Sequence, residues 1–345
     1  GETYTFGLTA SILKIDPADG SQETVVEGLP SVGFPDGTAG SIADVAFVGS
    51  KIYFLTTDPV GVSTEFDYPA GVYRVTDAGK AALVADISEF NTDNPVEFPD
   101  AAPFGNPFAL ESRGTTIFVS DGNYNRILSI TSTGDIEVLA AFDNVVPTGI
   151  DVKGGGPLLV TEFSAAPHNV GDSKLTTVGI PSGDFTSVAS TEFTQMIDVE
   201  RAPDGDTYIL QFGDQSLSEE ELPPPGRLLR YENGEFIPLV EGIMAGTSLN
   251  FAGDTALITT LFGEVIRVDN VSQLQGIETQ PTPGPTTAPT MAPVVTPTQG
   301  GGIRPPDTGN GGYADSDAAS LWALLALAGG MAALAGAGVA ATRRG

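Results

Sequence analysis

The feature that most limits how this chain can fold is a weak internal repeat running through residues 41–270. Five segments line up: IADVAFVGSKIYFLTT (42–57), FALESRGTTIFVSD (108–121), GIDVKGGGPLLVTE (149–162), IDVERAPDGDTYILQF (197–212) and SLNFAGDTALITTL (248–261). Each is an apolar strand, a polar glycine-bearing turn and a second strand richer in β-branched residues. A third strand follows each of them: GVYRVTDAG (71–79), RILSITSTG (126–134), KLTTVGIPSG (174–183), RLLRYENG (227–234) and EVIRVDN (264–270). In four repeats a turn leads on to a fourth strand, AALVADIS, DIEVLAAF, DFTSVAS or EFIPLVEG. A spacing of about 40–50 residues is that of a four-stranded propeller blade. Alternation within the strands lets one face of each blade pack on the next. Glycine and aspartate at the turns provide the left-handed conformations of tight hairpins.

Counting strands refines the prediction. The opening stretch SILKIDPADGSQETVVEG (11–28) matches only the third and fourth strands of a blade, and the last repeat stops after its third. With four complete blades between them, about 21 strands are expected, whereas a six-bladed ring of four-stranded blades holds about 24. The fold class predicted is therefore all-β, a six-bladed β-propeller that is incomplete at its N-terminal side. Gly1-Glu2-Thr3-Tyr4 shows neither a basic region nor an apolar run of the secretory-signal kind.

The composition divides the chain into three: a propeller over 1–270, a stalk over 271–317 and an anchor over 318–345. Between Gln280 and Gly302 the sequence reads QPTPGPTTAPTMAPVVTPTQGGG, a Pro/Thr tract that buries no core and reads as a disordered, extended stalk. Residues 318–342, AASLWALLALAGGMAALAGAGVAAT, are apolar throughout and long enough for one transmembrane helix of about 20 residues. Arg343 and Arg344 follow, which places the C-terminus in the cytoplasm and everything upstream outside the cell membrane. Just before the span, Pro306-Asp307-Thr308-Gly309 resembles the Leu-Pro-x-Thr-Gly sorting signal of wall-anchored bacterial proteins. Pro305 stands where that signal has leucine, so a plain membrane anchor is preferred over wall sorting.

Charge and residue counts exclude several chemistries. Against 15 basic residues stand 44 acidic ones, a formal net charge of −29, which repels nucleic acid and suits cations or basic partners. Absence of cysteine excludes disulfides, thiolate metal sites and cysteine nucleophiles, and His168 as the single histidine excludes any mechanism needing two. His168 lies in the loop SAAPHNVGD and reads as an exposed residue. No nucleophile elbow, Walker loop or zinc signature is present.

NPFALESRGTTIFVSDGNYNRILSITSTGDIEVLAAF (106–142), followed by VPTGIDV (146–152), resembles the ScyD/ScyE family of secreted bacterial propellers. So do GSQETVVEGLPSVG (20–33), VTEFSAAP (160–167), FTQMIDVERAPDGDTYIL (193–210) and GEVIRV (263–268). The likeness covers about residues 5–270. It implies a six-bladed ring related in form to NHL and gluconolactonase-like propellers, and export from the cell. No catalytic residue comes with it.

Superposing the repeats puts Asp44 and Asp198 in one column at the start of the innermost strand, and Asp121 and Glu162 in another at the end of the second. Four carboxylates converging on a channel mouth would suit a hard cation, calcium above all. The alternative is that they cap turns or face solvent. DGNYN (121–125) reads as a β-turn, and the acidic run 218–225 as an inserted loop forming a solvated rim. The function expected first is an extracellular binding module meeting a protein or glycan at the cell surface. Its rivals are a calcium-dependent, lactonase-like hydrolase with its site at the channel mouth, and a structural envelope component.

Overall fold

A computed structural model describes residues 5–33, 39–57, 68–96, 105–165, 168–213 and 224–277. Residues 278–317 of the stalk with the Pro306–Gly309 motif, the apolar run 318–342 and residues 218–223 of the acidic loop lie outside the described residues; Pro225, expected in that loop, begins a strand. Among the described residues no helix is long and apolar enough to cross a membrane.

The chain opens with a long antiparallel hairpin, β1 (Thr5–Ile15) and β2 (Gln22–Gly33), to which β3 (Ala39–Gly40) adds a short strand. Four four-stranded antiparallel blades follow in order. The first holds β4 (Ile42–Val48), β5 (Lys51–Thr56), β6 (Gly71–Val75) and β7 (Ala81–Asp86); the second β8 (Pro107–Arg113), β9 (Thr116–Asp121), β10 (Arg126–Ile130) and β11 (Ile136–Ala141). The third holds β12 (Pro147–Asp151), β13 (Leu158–Glu162), β14 (Lys174–Val178) and β15 (Phe185–Ala189); the fourth β16 (Met196–Arg201), β17 (Thr207–Gly213), β18 (Pro225–Glu232) and β19 (Glu235–Ile243). A three-stranded fifth blade is made by β20 (Gly246–Ala252), β21 (Thr255–Thr260) and β22 (Val265–Val268). The molecule is an all-β propeller of five blades with the N-terminal hairpin beside them.

One hydrogen bond recurs in all five blades and shows that the sequence repeat is a structural one. At the end of the second strand or just past it, the amides of Thr57, Gly122, Phe163, Phe212 and Leu261 donate to the carbonyls of Ser41, Asn106, Val146, Gln195 and Ala245, at 2.8–3.0 Å. The register aligns Asp44, Ala109, Gly149, Asp198 and Ser248 at one position of the inner strands. It also aligns Thr56, Asp121, Glu162, Gln211 and Thr260 at the end of the second strands.

Apolar residues on opposite faces of a strand serve opposite neighbours. In β9, Ile117 and Val119 pack on the first blade with Leu55 and Val72, while Phe118 packs on the third with Ile150 and Val160. The same division recurs at β13 and β17, so the core is a set of seams between blades rather than one central mass. Ile12, Val26 and Leu29 of the N-terminal hairpin pack on Phe54 and Tyr73, the face of the first blade that turns away from the second. On the hairpin's other side, Arg267 of β22 donates to the carbonyl of Pro17. The hairpin thus lies between the fifth blade and the first.

The sequence reading needs one local revision. AALVADIS was expected to be strand throughout, but β7 ends at Asp86 and a helix, α1 (Ile87–Asp93), begins there. Asp86 stands at the N-cap and accepts from the Glu89 amide at 2.8 Å, satisfying an amide that a helix start leaves without an intrahelical partner.

Candidate functional site

The inner strands β4, β8, β12, β16 and β20 surround a cavity of about 280 Å³. Asp44, Glu111, Asp198 and Glu200 stand on its wall with Ser41, Thr57, Asn106, Ser248 and Asn250, and no Lys or Arg is among the residues that line it. Asp44 and Asp198 belong to the column anticipated from the repeat. Glu111 and Glu200 come from a second column two residues further along, which also contains Asp151 and Asn250. The repeat alignment carried that signal, because residues i and i+2 of a strand share a face.

Most of these polar groups join one blade to the next. Asp44 receives the Leu110 amide of the second blade at 2.7 Å, as well as the amide of Val45. Asp198 does the same three blades further on, receiving Leu249 of the fifth blade at 2.7 Å and Val199 at 2.9 Å. Arg113 of the second blade donates to the carbonyls of Val152 and Gly156 in the third. Between the third and fourth blades, Arg201 binds Asp151 at 2.6 Å and Lys153 pairs with Glu200. Each of the four junctions between consecutive blades therefore carries a polar bridge from its inner strand. Gly149 occupies the Asp position of β12 because a Cβ there would run into the backbone and carboxylate of Asp198.

Burial and mutual repulsion raise the proton affinity of this group. Asp44 is pushed up to about 6 by burial, against the pull of its two amide donors. Glu111 is pushed up to about 7 by burial and by the charge of Asp44. Asp198 rises to about 8, mainly by burial and further by Asp44. Glu200 is also raised by burial, with Lys153 opposing. Asp44 and Asp198 keep part of their surface on the cavity, so the protein crowds them while one side stays open. Glu111 differs from the other three: it receives the Ser112 amide at 3.2 Å, bridges no junction and forms no ion pair among the described residues.

Asp121 and Glu162 lie elsewhere. Asp121 is fully buried, accepts from the Asn106 amide and the Asn91 side chain at 2.8 and 3.0 Å, and lies 3.8 Å from Arg126. Arg126 is in turn stacked over Phe90 and Tyr124 and bound to Asn91, so this knot docks α1 onto the second blade. Glu162 accepts from Thr176 and lies 3.8 Å from Lys174 across the neighbouring strand. Both carboxyls are pushed up by burial. The structure thus brings two of the four anticipated carboxylates to one cavity and gives the other two local partners. Among the described residues no three His, Asp or Glu side chains group as metal ligands. Calcium takes six to eight oxygens, and of the four anticipated carboxylates only Asp44 and Asp198 face this cavity.

His168, read from the sequence as exposed, is 1% exposed. Its ring packs edge-on against Phe163 at 5.2 Å, its Nδ1 lies 3.3 Å from the Ser164 hydroxyl, and burial pulls its basicity down.

No family model and no curated protein matches the sequence. Solved structures do. One chain of the nidogen/laminin complex is 15% identical with a TM-score of 0.54, the match covering 79% of this chain and 90% of that one. A gluconolactonase from Xanthomonas campestris is 12% identical with a TM-score of 0.48, over 75% and 78%. The likeness to the first is one of fold. The chain is a propeller module.

Proposed function

We propose that this chain is a surface-displayed binding module whose channel cavity receives a cationic group of an extracellular partner. The observation that supports this reading is Glu111. It stands on the cavity wall beside Asp44, Asp198 and Glu200, and among the described residues it forms no ion pair and no Lys or Arg lines the cavity, the nearby Lys153 being paired with Glu200. An ammonium or guanidinium group complements such a wall, and hydroxyl and amide side chains around it can hydrogen-bond the rest of the ligand. The donor set gives the hydrolase reading no comparable support.

The same proposal takes β1–β2 as the outer half of a sixth blade, because the hairpin sits between the fifth blade and the first. The Pro/Thr stretch 271–317 would hold the ring away from a membrane crossed by residues 318–342. The resemblance to the secreted ScyD/ScyE propellers agrees with display outside the cell.

Calorimetric titration with N-acetyl-arginine amide, N-acetyl-lysine amide and calcium chloride tests the cavity. Binding of the organic cations should strengthen between pH 6 and 8, as Glu111 with its value of about 7 loses its proton. Glu111→Gln should weaken it about tenfold or more, the scale expected for losing a charge-assisted hydrogen bond. Calcium binding with no response to either organic cation would overturn the reading in favour of a metal site.

A further inference from the structure

The four-stranded blades end in outer strands β7, β11, β15 and β19, and an outer strand presents unpaired main-chain groups that invite another strand. Three of these edges are blunted. The register skips Val84 in β7, Leu139 in β11 and Leu239 in β19, so each of these strands carries a bulge. Each is also approached by a neighbouring segment. Gly134, in the turn between β10 and β11, lies so close to β7 that an added Cβ would collide with the Val84 carbonyl oxygen. Gly183, in the turn between β14 and β15, lies against the Leu139 carbonyl of β11 in the same way. The Ile277 amide donates to the Pro238 carbonyl of β19 at 2.8 Å. Charge or proline adds to this in two of them, Glu137 in β11 and Glu235, Pro238 and Glu241 in β19.

β15 has none of these devices. It pairs with β14 through an unbroken register, its sequence FTSVA holds no charge and no proline, and every residue of it is exposed. Gly234, which takes in the fourth blade the place of Gly134 and Gly183, has nothing within 4 Å of an added Cβ, so its turn does not reach β15. Just outside the strand, the Asp184 carbonyl accepts from the Gly179 amide and the Ser190 amide donates to the Ser173 carbonyl. Alternation along an antiparallel ladder then turns the N–H and C=O groups of Phe185, Ser187 and Ala189 outward, and no backbone bond among the described residues reaches them. Phe185 lies on the side of the second blade, where Phe142 packs against it at 4.9 Å, and Val188 lies on the opposite side.

Main-chain groups in such a row are matched by an extended segment, whose alternate side chains rest beside Phe185 and Phe142 on one side and Val188 on the other. Charge decides what flanks that segment. Asp184 and Glu192 stand exposed beyond the two ends of the uncharged strand, on a chain of net charge −29. A second copy would bring the same charge to the edge, whereas basic residues on either side of an uncharged core complement it. We propose that the free edge of β15 is a docking site for an extended partner segment, a short uncharged core of β-branched residues between basic ones, added as a fifth strand of the third blade. The site lies on the rim, three strands out from β12 at the channel, and does not depend on the cavity.

The test adds the acetylated, amidated nonapeptide KKVTVTVKK to the full chain and follows hydrogen exchange in residues 183–190. Excess N-acetyl-lysine amide is present throughout, so that a lysine side chain entering the cavity is not mistaken for docking on the rim. Exchange in 183–190 should slow on the order of tenfold or more. KKVTPTVKK, which lacks the central donor, and EEVTVTVEE, which reverses the flanking charge, should each lose that protection. In the protein, Ser187→Pro should abolish it while the blade stays folded, because that N–H faces outward. Thr186→Lys, a milder change on the exposed side chain, should weaken binding about threefold by opposing the basic flanks. Unchanged exchange with KKVTVTVKK would overturn the proposal, as would equal protection by either control peptide or protection that survives Ser187→Pro. Protection of 183–190 that grows with protein concentration in the absence of peptide would show a second copy on the edge and overturn it too. None of these readouts requires Glu111, so the edge and the cavity reading can fail separately.

Discussion

Asp198→Asn separates two effects that act together in the native ring. The native carboxyl accepts two amides, from Val199 within its own strand and from Leu249 in the next blade. An asparagine offers one carbonyl oxygen and turns its NH₂ toward the other donor. Since Leu249 is buried, one amide loses its partner, at a cost of about 1–3 kcal/mol. Proton linkage works in the opposite direction. The value of Asp198 is raised from 3.8 to about 8, mainly by burial, so between these limits the folded state binds more protons than the unfolded one. Its favourable contribution is complete below pH 3.8 and is lost as pH rises through 8. Across this window the native protein loses up to about 1.4 kcal/mol per pH unit from this group. Structural relaxation and the open side of the cavity reduce that slope. The variant lacks the titration. Urea unfolding at half-unit steps from pH 4 to pH 8.5 should therefore find Asp198→Asn destabilised by about 1–3 kcal/mol at the acid end. The difference should shrink steadily and reverse sign before the alkaline end. In a domain of this size each kcal/mol corresponds to about 2 °C in melting temperature. A difference that stays flat with pH would refute the assignment of a raised proton affinity to Asp198.

Asp121→Ala should destabilise by about 3–5 kcal/mol, because it strands the buried Arg126; double replacement with Arg126→Met should recover much of this in the same urea assay. His168, as the single histidine, is directly readable by proton NMR, and its ring should titrate below the ordinary 6.5 because burial opposes the charged form. Stability from His168 is then present above pH 6.5 and lost as pH falls through the lowered value; a midpoint at or above 6.5 would contradict its burial. Gly149→Ala should cost at least about 1–3 kcal/mol through overpacking against Asp198, and a neutral result would show that the junction between the third and fourth blades yields easily.

The repeat made most of the fold legible in the sequence, because blade formation is local: strand alternation and turn residues decide each hairpin within a few tens of residues. The alignment also placed Asp44 with Asp198 and Asp121 with Glu162, and the structure keeps both columns. What the columns face is decided by how neighbouring blades stack. Asp44 and Asp198 each give one oxygen to an amide 66 or 51 residues away, Asp121 binds the Asn106 amide and Asn91 of α1, and Glu111, on the same cavity wall, bridges no junction. His168 looked exposed because loop sequences usually are, yet Phe163 and its surroundings enclose it. A one-dimensional pattern records which side of a strand a residue occupies. The partner on that side belongs to another blade, and only the stacking of blades around the channel determines whether a carboxylate there bridges a junction, titrates or receives a ligand.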